Sequence, residues 1–523
     1  MATRLLRPQF SQTLPRYSRS NATVAALKQQ TSTKVTDTEW ANAKPFSALP
    51  GPKRWPIIGT AWQFLPLIGI NIPPTRQLEL NQYLIDKFGR IGVNFLPGYP
   101  PLVWVSTPED VETVFRNEGR FPVRLGFETL KIHRQQRPNQ FSATGLLVAQ
   151  GEDWWKIRSK AQQPMLKPKN IYSYLPVINE IGDDFIDRIR LIRQENNEMK
   201  PDFLNEMYRW ALESVAVVAL NTRLGCLSPT LAPDSEAQKM ITAVNTSFLD
   251  ITKLEVGFPL WRIMTTPSLR RLFKAQDFFA ETSVKYINAT IEKIKSRPED
   301  SDEEQTILEQ LLLRGMSLQD AVVMVIDMLM AGIDTTSHTT SFLFYFLAKN
   351  PEKQELLRKE VLSVVGPRGS PISLQALNEL RYLKACIKES LRLMPATSGN
   401  ARVVDNDVVL SGYQVPKGSM AIVLQQWMSI QEEYVPRALE YIPERWIKGH
   451  ELESKVHPYV MLPFGFGTRM CIGRRLAEME MWQLTVKCMQ NFRVEYDYED
   501  IGCEFRMVNV PDKPLKFKLI DIE

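Results

Sequence analysis

The sequence predicts a single, mainly helical domain with small β-sheets, and three observations lead to that prediction. Apolar residues recur at helical spacing in most segments between residues 152 and 395. Short alternating runs such as DVVLSGYQV, CEFRMVNVP and LKFKLIDI, typical of strands, lie near the C-terminal end. No internal repeat, low-complexity tract or long Ser/Gly linker divides the 523 residues. The 44% of hydrophobic residues can supply a full core for one large unit.

The first 36 residues differ in composition from the rest of the chain. They contain no Asp or Glu, six Lys or Arg and ten Ser or Thr, which is typical of a mitochondrial transit peptide. A disordered basic tail is the alternative. Without this segment the formal net charge falls from +5 to −1, so a nucleic-acid-binding function loses its main support. Residues 37–52, with the run PFSALPGP, are predicted to lead into a domain over residues 53–523.

Local start and stop signals define the next elements in chain order. PLVWVS is predicted to be a strand, and TPEDVETVFRNEG a helix with Thr107 as N-cap, Pro108 at its first position and Gly119 as its stop. Further helices are predicted over NIYSYLPVINEIGDDFIDRIRLIRQ, EMYRWALESVAVVAL, AQKMITAVNTSFLDI and LRRLFKAQDFFAETSVKYINATIEKIKS. The segment from Ser317 to Asn350 opens with a capping signal and is apolar nearly all round. We therefore expect it to be a long helix buried in the centre of the domain.

Cys471 stands apart from the other four cysteines, which show no C-x-x-C spacing and indicate neither disulfides nor a structural zinc site. A glycine-rich loop surrounds it and a strong helix-forming segment follows. Beside Arg469, Arg474 and Arg475 at a helix N-terminus, the thiol is expected to be held as thiolate. A thiolate serves nucleophilic attack or metal ligation. Attack needs a histidine base, for which His457 has no further support, whereas a lone thiolate suits haem, which supplies the other ligands.

The loop FGFGTRMCIG resembles the haem-binding loop of the cytochrome P-450 monooxygenases. Further motifs match in the order of that family. AGIDTT resembles the oxygen-activation motif of the family's central helix, and WWKIR resembles its W-x-x-x-R pair. ESLR resembles the E-x-x-R helix, and PERW resembles the meander segment whose arginine completes the E-x-x-R ion pair. The resemblance covers about residues 45–520. It implies the cytochrome P-450 fold, with haem b between the long central helix and the helix that follows the cysteine loop.

The resemblance implies roles for the residues of the haem site. Cys471 is expected to be the axial ligand of the haem iron, and Phe464 to lie against the porphyrin and shield the sulfur. The haem propionates are expected to be bound by Trp154, Arg158, Arg402 and Arg469. For each arginine the alternative is an ordinary surface cation.

Residues of two helices are expected to act around the haem. Asp334 and Thr335 are expected to deliver protons during dioxygen cleavage, and Gly332 to let dioxygen and substrate approach the helix backbone. The alternative is a solvated Asp and a helix-satisfied Thr. The expected buried structural triad behind the haem loop consists of Glu389, Arg392 and Arg445.

Electrons are expected to come from a partner protein, because no flavin or nucleotide fingerprint is visible. Lys384 and Lys388 resemble the paired lysines with which mitochondrial members of the family receive a small acidic ferredoxin. Arg474 and Arg475 resemble the same branch. Solvated helix charges are the alternative. The expected partners are therefore an adrenodoxin-like ferredoxin and its NADPH-dependent reductase.

The sequence has no run of 18 apolar residues for a spanning helix, but one segment indicates monotopic membrane contact. EVGFPLWRIMTTPSLRRL resembles the family's membrane-dipping loop at the substrate entrance, although Trp261 is alternatively a core residue. The expected location is the matrix side of the mitochondrial inner membrane.

The sequence as a whole most resembles invertebrate, arthropod-type mitochondrial members of the family. The expected substrate is apolar, either a steroid or ecdysteroid or a xenobiotic. A haem-binding sensor or carrier without turnover and a thiolate-haem isomerase are the rival functions. AGIDTT argues against both, since only dioxygen cleavage needs a proton-delivery pair.

Overall fold

The computed structural model describes residues 35–65, 67–141, 144–298 and 305–522. The predicted transit peptide lies outside the described residues, except for its last two positions. The lead-in is described and forms a short helix at Asp37–Asn42. It is tied to the domain by a bridge between Lys44 and Tyr413.

Helices make up most of the described chain, which agrees with the predicted fold class. In chain order the helices are α1 (Asp37–Asn42), α2 (Gln77–Phe88), α3 (Pro108–Arg116), α4 (Glu128–Gln135), α5 (Gly151–Leu166), α6 (Pro168–Tyr172), α7 (Leu175–Ile192), α8 (Phe203–Leu220), α9 (Glu236–Glu255), α10 (Pro267–Ser296), α11 (Ile307–Leu313), α12 (Leu318–Lys349), α13 (Pro351–Val364), α14 (Leu374–Glu379), α15 (Arg381–Leu393), α16 (Gln425–Ser429) and α17 (Arg474–Asn491). Short 3₁₀ turns are formed by Phe46–Ala48, Ala61–Phe64, Leu260–Arg262 and Pro443–Trp446.

The strands are short and form small sheets. They are β1 (Ile91–Asn94), β2 (Leu102–Val105), β3 (Asn400–Val403), β4 (Val408–Leu410), β5 (Tyr413–Val415), β6 (Met420–Val423), β7 (Phe492–Glu495), β8 (Cys503–Arg506), β9 (Val508–Pro511) and β10 (Lys518–Asp521). One sheet has the order β1-β2-β6-β3, in which β2 and β6 are parallel and the outer pairs are antiparallel. The antiparallel pairs β4–β5, β7–β10 and β8–β9 stand alone.

The long central helix predicted from the sequence is confirmed as α12. Its N-cap is Ser317, whose hydroxyl accepts a hydrogen bond from the backbone N–H of Asp320 at 3.1 Å. The larger apolar core of the domain packs around this helix, and a second core lies beneath the four-stranded sheet. A Cβ atom at Gly332 would lie 2.8 Å from the side chain of Val215, so the glycine allows α8 to pack closely against α12.

Two predicted helices differ in extent from those in the structure. The segment predicted as one helix over residues 170–194 forms α6 and α7, with a break at Ser173, because Pro176 lies in the first turn of α7 and cannot continue α6. The N-cap role of Thr107 is confirmed. That helix, α3, ends at Arg116, before the predicted stop at Gly119.

The predicted strands also form, and the alternating runs DVVLSGYQV and CEFRMVNVP each fold into a two-stranded hairpin. No helix in the described part of the chain has both the length and the apolar composition needed to cross a bilayer.

Candidate active site

The loop before α17 directs the thiol of Cys471 toward the interior. Gly465 and Gly467 have backbone φ angles of 70° and 75°, in the left-handed region that favours glycine. The backbone N–H of Cys471 donates to the carbonyl of Phe464 at 2.8 Å, which closes the turn. A Cβ atom at position 467 would lie 2.3 Å from a carboxylate oxygen of Glu118, so glycine is required there by space as well as by backbone angle.

A cavity of about 590 Å³ lies between this loop and α12. Cys471 and Phe464 line one side, and Ala331, Gly332 and Thr335 line the other. Apolar side chains form most of the remaining wall, so the cavity suits an apolar molecule. The exposed surface of Cys471 faces this cavity, and the thiol is therefore enclosed by the protein.

The electrostatic surroundings of Cys471 differ from the prediction. Burial raises the pKa of the Cys471 thiol above its usual value, although the N–H of Gly473 and the charges of Arg158, Arg124 and Arg474 act in the opposite direction. The helix terminus and the arginines favour a thiolate but do not outweigh burial. A metal ion would do so, because a coordinating thiol is deprotonated. No cluster of three or more potential metal-ligating side chains occurs within the described ranges, so Cys471 would be a lone protein ligand.

Three of the four residues predicted to bind propionates line the cavity together. The guanidinium of Arg469 lies 4.9 Å from the ring of Trp154, and that of Arg158 lies 5.9 Å from the same ring. The Nε atoms of Arg158 and Arg469 are buried without hydrogen-bond partners. Burial lowers the pKa of Arg158 to about 10, and burial with neighbouring arginines lowers that of Arg469 to about 8. Such crowded positive charge favours binding of an anion.

The structure does not bring Arg402 to the cavity. Its Nε donates to Glu118 at 2.5 Å and its Nη2 to the carbonyl of Phe466 at 3.3 Å, so it supports the cysteine loop from behind. Arg124, which no sequence motif marks, lines the cavity instead. Its guanidinium has no hydrogen-bond or ion-pair partner among the residues that the structure describes, and burial lowers its pKa to about 10.

Asp334 and Thr335 of α12 face different surroundings. Thr335 lines the cavity, and its hydroxyl donates to the carbonyl of Ala331 at 2.8 Å. The helix continues without interruption past this residue. Asp334 is buried outside the cavity lining. The side-chain amide nitrogen of Asn245, in the orientation that satisfies its hydrogen bonds, donates to both carboxylate oxygens of Asp334 at 3.1 Å. Burial raises the pKa of Asp334 to about 8, partly offset by the charge of Arg506.

Glu389, Arg392 and Arg445, predicted to form a buried triad, contact one another in the structure. Glu389 accepts hydrogen bonds from Arg392 at 2.7 and 3.0 Å and from Arg445 at 3.0 Å. Both arginines also donate to backbone carbonyls of the segment before Pro443–Trp446. The indole N–H of Trp446, whose role sequence reasoning missed, donates to Glu389 at 2.8 Å. The triad is fully buried, so each member depends on the others.

The residues predicted to receive a ferredoxin lie on α15 and at the start of α17. The ammonium of Lys388 lies 3.8 Å from the ring centre of Trp446, and that of Lys384 lies 4.7 Å from that of Trp482. Burial lowers the pKa of both lysines, with nearby carboxylates acting in the opposite direction. Arg474 is exposed and paired with Glu478.

The half-buried Arg475 has no ion-pair partner among the described residues.

The segment predicted to contact a membrane is only partly exposed. Ile263 is 81% exposed and Met264 59%, whereas Trp261 is buried and its indole N–H donates to the carbonyl of Leu254 at 2.7 Å. Trp261 is therefore a core residue, the alternative considered from the sequence. The cavity lining includes Val256, near the start of this segment.

A family comparison agrees with this geometry. Residues 49–519 match the family model described as Cytochrome P-450. The chain is 36% identical over 518 residues to cytochrome P-450 CYP12A2 of Musca domestica, with 95% of each protein covered. It is 36% identical over 508 residues to the probable mitochondrial cytochrome P-450 12a5 of Drosophila melanogaster, with 93% of each covered.

A third relative extends the same comparison. The chain is 35% identical over 488 residues to the probable mitochondrial cytochrome P-450 301a1 of Drosophila melanogaster, covering 92% of this chain and 88% of the relative. The predicted resemblance to arthropod-type members is thereby confirmed. The matches cover nearly the whole chain, and the thiol of Cys471 faces an apolar cavity beside the long central helix. This protein therefore belongs to the cytochrome P-450 family of haem-thiolate monooxygenases.

Proposed function

We propose that this protein is a mitochondrial monooxygenase that inserts one oxygen atom from dioxygen into an apolar substrate, with electrons from a ferredoxin. The observation that carries the proposal is the position of Cys471 across an apolar cavity from Thr335. A lone thiolate ligand on one side and a hydroxyl-bearing helix on the other suit activation of dioxygen at a bound haem.

The cavity residues fit haem b. Cys471 would ligate the iron and Phe464 would lie against the porphyrin, while Trp154, Arg158 and Arg469 would bind the propionates. The unpartnered, buried Nε atoms of Arg158 and Arg469 support this fit, because each needs an acceptor that the described chain lacks. When bound, the thiolate-ligated haem would supply the chemistry that cleaves dioxygen and oxidises a C–H bond.

Arg124 and Arg402 would have different tasks around the same group. Arg124 lines the cavity with a guanidinium that no described residue pairs, and it would add a further propionate contact. Arg402, paired with Glu118, would act through the cysteine loop that it supports.

Thr335 and Asp334 would manage protons at the cavity. The Thr335 hydroxyl can exchange its hydrogen bond to Ala331 for one to a water molecule in the cavity. Asp334 would deliver protons only after its side chain leaves Asn245, since it does not line the cavity. Its raised pKa allows it to hold a proton near neutral pH and release it.

Lys384, Lys388, Arg474 and Arg475 would form the docking surface for an adrenodoxin-like ferredoxin, itself reduced by an NADPH-dependent reductase. The lysines lie on α15, which also carries Glu389 of the buried triad. The mitochondrial names of the relatives support this choice of donor over a diflavin reductase.

A monotopic contact with the matrix side of the mitochondrial inner membrane is supported by two exposed apolar groups. One contains Ile263 and Met264; the other contains Ile57, 97% exposed, and Leu67, fully exposed. The cavity reaches Val256, beside the first group, so an apolar substrate could enter from the bilayer. A steroid or ecdysteroid and a xenobiotic are both apolar enough to suit the apolar side chains of the cavity wall.

Reconstitution tests this function. Haem-loaded protein, ferredoxin, ferredoxin reductase and NADPH are incubated with a panel of steroids and xenobiotics that shift the haem spectrum. The expected result is an oxygenated product carrying one atom of ¹⁸O from ¹⁸O₂. Product formed without NADPH would favour the isomerase, and the absence of product for every spectrally bound compound would favour a sensor or carrier.

A further inference from the structure

Three carboxyl side chains line the cavity within the described ranges, and the negative charge of two of them is neutralised. Asp327 of α12 is paired with Arg134, whose Nη2 atom donates to it at 2.6 Å. Burial raises the pKa of Glu480 on α17 to about 8, so this carboxyl favours its protonated form at neutral pH. The third is Glu255, the last residue of α9, which forms no ion pair with any described residue. Glu255 therefore differs from the other two in having no counter-charge.

The hydrogen bonds of Glu255 come from uncharged donors. Its Oε1 atom accepts from the backbone N–H of Thr129 at 2.6 Å and from the Thr129 hydroxyl at 2.8 Å. Its Oε2 atom accepts from the Tyr99 hydroxyl at 2.8 Å. A carboxylate has about four acceptor sites, two on each oxygen, so one site on Oε2 remains open. Because Glu255 and Tyr99 line the cavity, a ligand in the cavity can fill this site.

The Tyr99 hydroxyl remains a donor to Glu255. Burial raises the pKa of Tyr99 above its usual value, and the charge of Glu255 acts in the same direction. The opposing charge is that of Arg262, whose guanidinium lies 5.3 Å from the ring centre of Tyr99 and 4.6 Å from that of Trp261. Arg262 is exposed, so solvent screens its charge, and it forms no ion pair with a carboxylate of the described chain. It therefore does not serve as the counter-ion of Glu255.

Other cations near the end of α9 are used elsewhere. The elements packed against α9 include α4, α10 and β8. Cations on these elements pair with other carboxylates, as Lys131 does with Glu128, Arg271 with Asp250 and Arg506 with Glu504.

The position of Glu255 on its helix adds to the negative potential. Glu255 is at the C-terminal end of a 20-residue helix, where the macrodipole carries partial negative charge and cations are the favoured partners. The apolar Val256 follows it in the cavity lining, and an apolar wall strengthens the attraction between opposite charges. A buried carboxylate and a helix C-terminus thus act together at one point of the wall.

We propose that Glu255 is a cation-binding position in the cavity wall, and that the substrates of this enzyme are apolar molecules that carry one protonated amine. The ammonium would donate to the open site on Oε2, while the apolar remainder packs against the rest of the wall. Such a charge-assisted hydrogen bond favours basic xenobiotics over neutral steroids. The inference rests on the proposed monooxygenase function, because that function assigns the space beside the haem to a substrate.

The test measures binding and does not require turnover. Haem-loaded protein is reduced and saturated with carbon monoxide, so that no nitrogen can bind the iron, and dissociation constants are obtained by equilibrium dialysis. The probe is N-decylmorpholine, whose pKa resembles that of an α-amino group, so it is protonated at about pH 6 and neutral at about pH 9. Decanol is the uncharged reference at both pH values.

The proteins compared are wild type, Glu255→Gln, Tyr99→Phe and the control Glu236→Gln. The control removes an exposed carboxylate at the other end of α9. The carbon monoxide spectrum verifies that each variant keeps its haem.

In wild type, N-decylmorpholine is expected to bind at least about fivefold more tightly at the lower pH, while decanol changes less than about twofold. Without an ion pair the neutral amine, which is more apolar, would instead bind more tightly at the higher pH. Glu255→Gln should weaken binding of the protonated probe at least about tenfold and leave decanol within about threefold. Tyr99→Phe should bind the protonated probe at least as well as wild type, because it opens a second site on Oε2 and keeps the charge. Glu236→Gln should match wild type.

Equal or tighter binding of N-decylmorpholine at the higher pH in wild type would overturn the proposal, and this measurement needs no variant. An equal loss of both probes in Glu255→Gln would also overturn it, because Glu255 would then have a structural role. A loss of the protonated probe in Tyr99→Phe as large as in Glu255→Gln would lead to the same conclusion. Failure of the proposed function is distinguishable, because wild type would then consume no NADPH with ferredoxin and reductase, whereas the dialysis results decide the role of Glu255 on their own.

Discussion

Cys471 provides the first test at the scale of single residues. Cys471→Ala is expected to abolish the long-wavelength Soret band of the ferrous carbon monoxide complex, because that band requires a thiolate opposite the carbon monoxide. Absorption spectra of the purified, haem-reconstituted variant measure this. Cys503→Ala is the matched control, since Cys503 lies outside the cavity lining. A variant at position 471 that retains the band would place the ligand elsewhere.

Thr335 is the hydroxyl of the AGIDTT motif that faces the cavity. Thr335→Ala is expected to keep haem and substrate binding but to divert NADPH to hydrogen peroxide, because proton delivery to oxygen is disturbed. Peroxide and product per NADPH measure the change. Thr340→Ala, which removes a buried hydroxyl outside the cavity lining, should behave as wild type. Equal coupling in both variants would remove Thr335 from the mechanism.

Asp334 should make stability depend on pH. Its pKa of about 8 in the folded protein lies above the value of about 4 expected in the unfolded chain. Between these values the folded protein binds the extra proton, so the contribution of Asp334 to the free energy of unfolding decreases as pH rises from about 4 to about 8. Asp334→Asn should therefore raise the thermal midpoint at pH 8.

The same variant should change the midpoint little near pH 4, where Asp334 is protonated in the folded protein and still about half protonated in the unfolded chain. The stabilisation at pH 8 should be at least about 1.4 kcal/mol, the free energy of one pKa unit. Circular dichroism melts across this pH range measure it. An equal shift of the midpoint at both pH values would mean that the charge of Asp334 is not responsible.

At the scale of elements, Glu389 joins α15 to the turn Pro443–Trp446. Glu389→Gln leaves Arg392 and Arg445 buried without a counter-charge, which costs about 3–5 kcal/mol. We expect a large loss of haem content and of thermal stability, both measured on purified protein. Glu379→Gln at the exposed end of α14 is the control. A folded, haem-replete Glu389→Gln protein would show that the triad is dispensable.

The same helix carries the proposed docking surface. Replacing both Lys384 and Lys388 by Glu should raise the ferredoxin dissociation constant at least tenfold. Two attractive contacts become repulsive, and a loss of about 1.4 kcal/mol of binding free energy is enough for a tenfold change. Titrations at several salt concentrations measure this, and affinity should fall with salt in wild type more than in the variant. Lys274→Glu on α10 is the control. Unchanged affinity in the double variant at low salt would reject the docking surface.

Periodicity located α12 correctly but could not orient its functional residues. Asp334 and Thr335 are adjacent and point about 100° apart on a helix, so only the positions of the neighbouring helices decide which one meets the cavity. Asp334 accepts hydrogen bonds from Asn245 of α9 and does not line the cavity. Gly332, predicted to admit dioxygen, lines the cavity, and an added Cβ atom there would also meet Val215 of α8. These contacts join distant segments, and the pattern within one helix contains no information about them.

At the scale of the whole molecule, motifs predicted the site better where several residues lie in one segment. Phe464, Arg469 and Cys471 share a loop and all line the cavity. Arg124 comes from a loop far from them in the chain, and only the folded structure shows that it, and not Arg402, reaches the cavity. Single residues that tertiary packing brings to the cavity from distant segments could therefore not be predicted from the sequence.

The parallel pairing of β2 with β6 has a consequence for biosynthesis. Leu102 is opposite Met420, so the four-stranded sheet cannot close until most of the chain has left the ribosome. Such distant pairing is slow and leaves apolar strands uncovered in the growing chain. Nascent chains that stop before Met420 should be cut by protease within β1 and β2, whereas the complete protein should resist. Because this sheet forms so late, the polypeptide stays incompletely folded, and so able to pass through a translocation pore, for most of its synthesis.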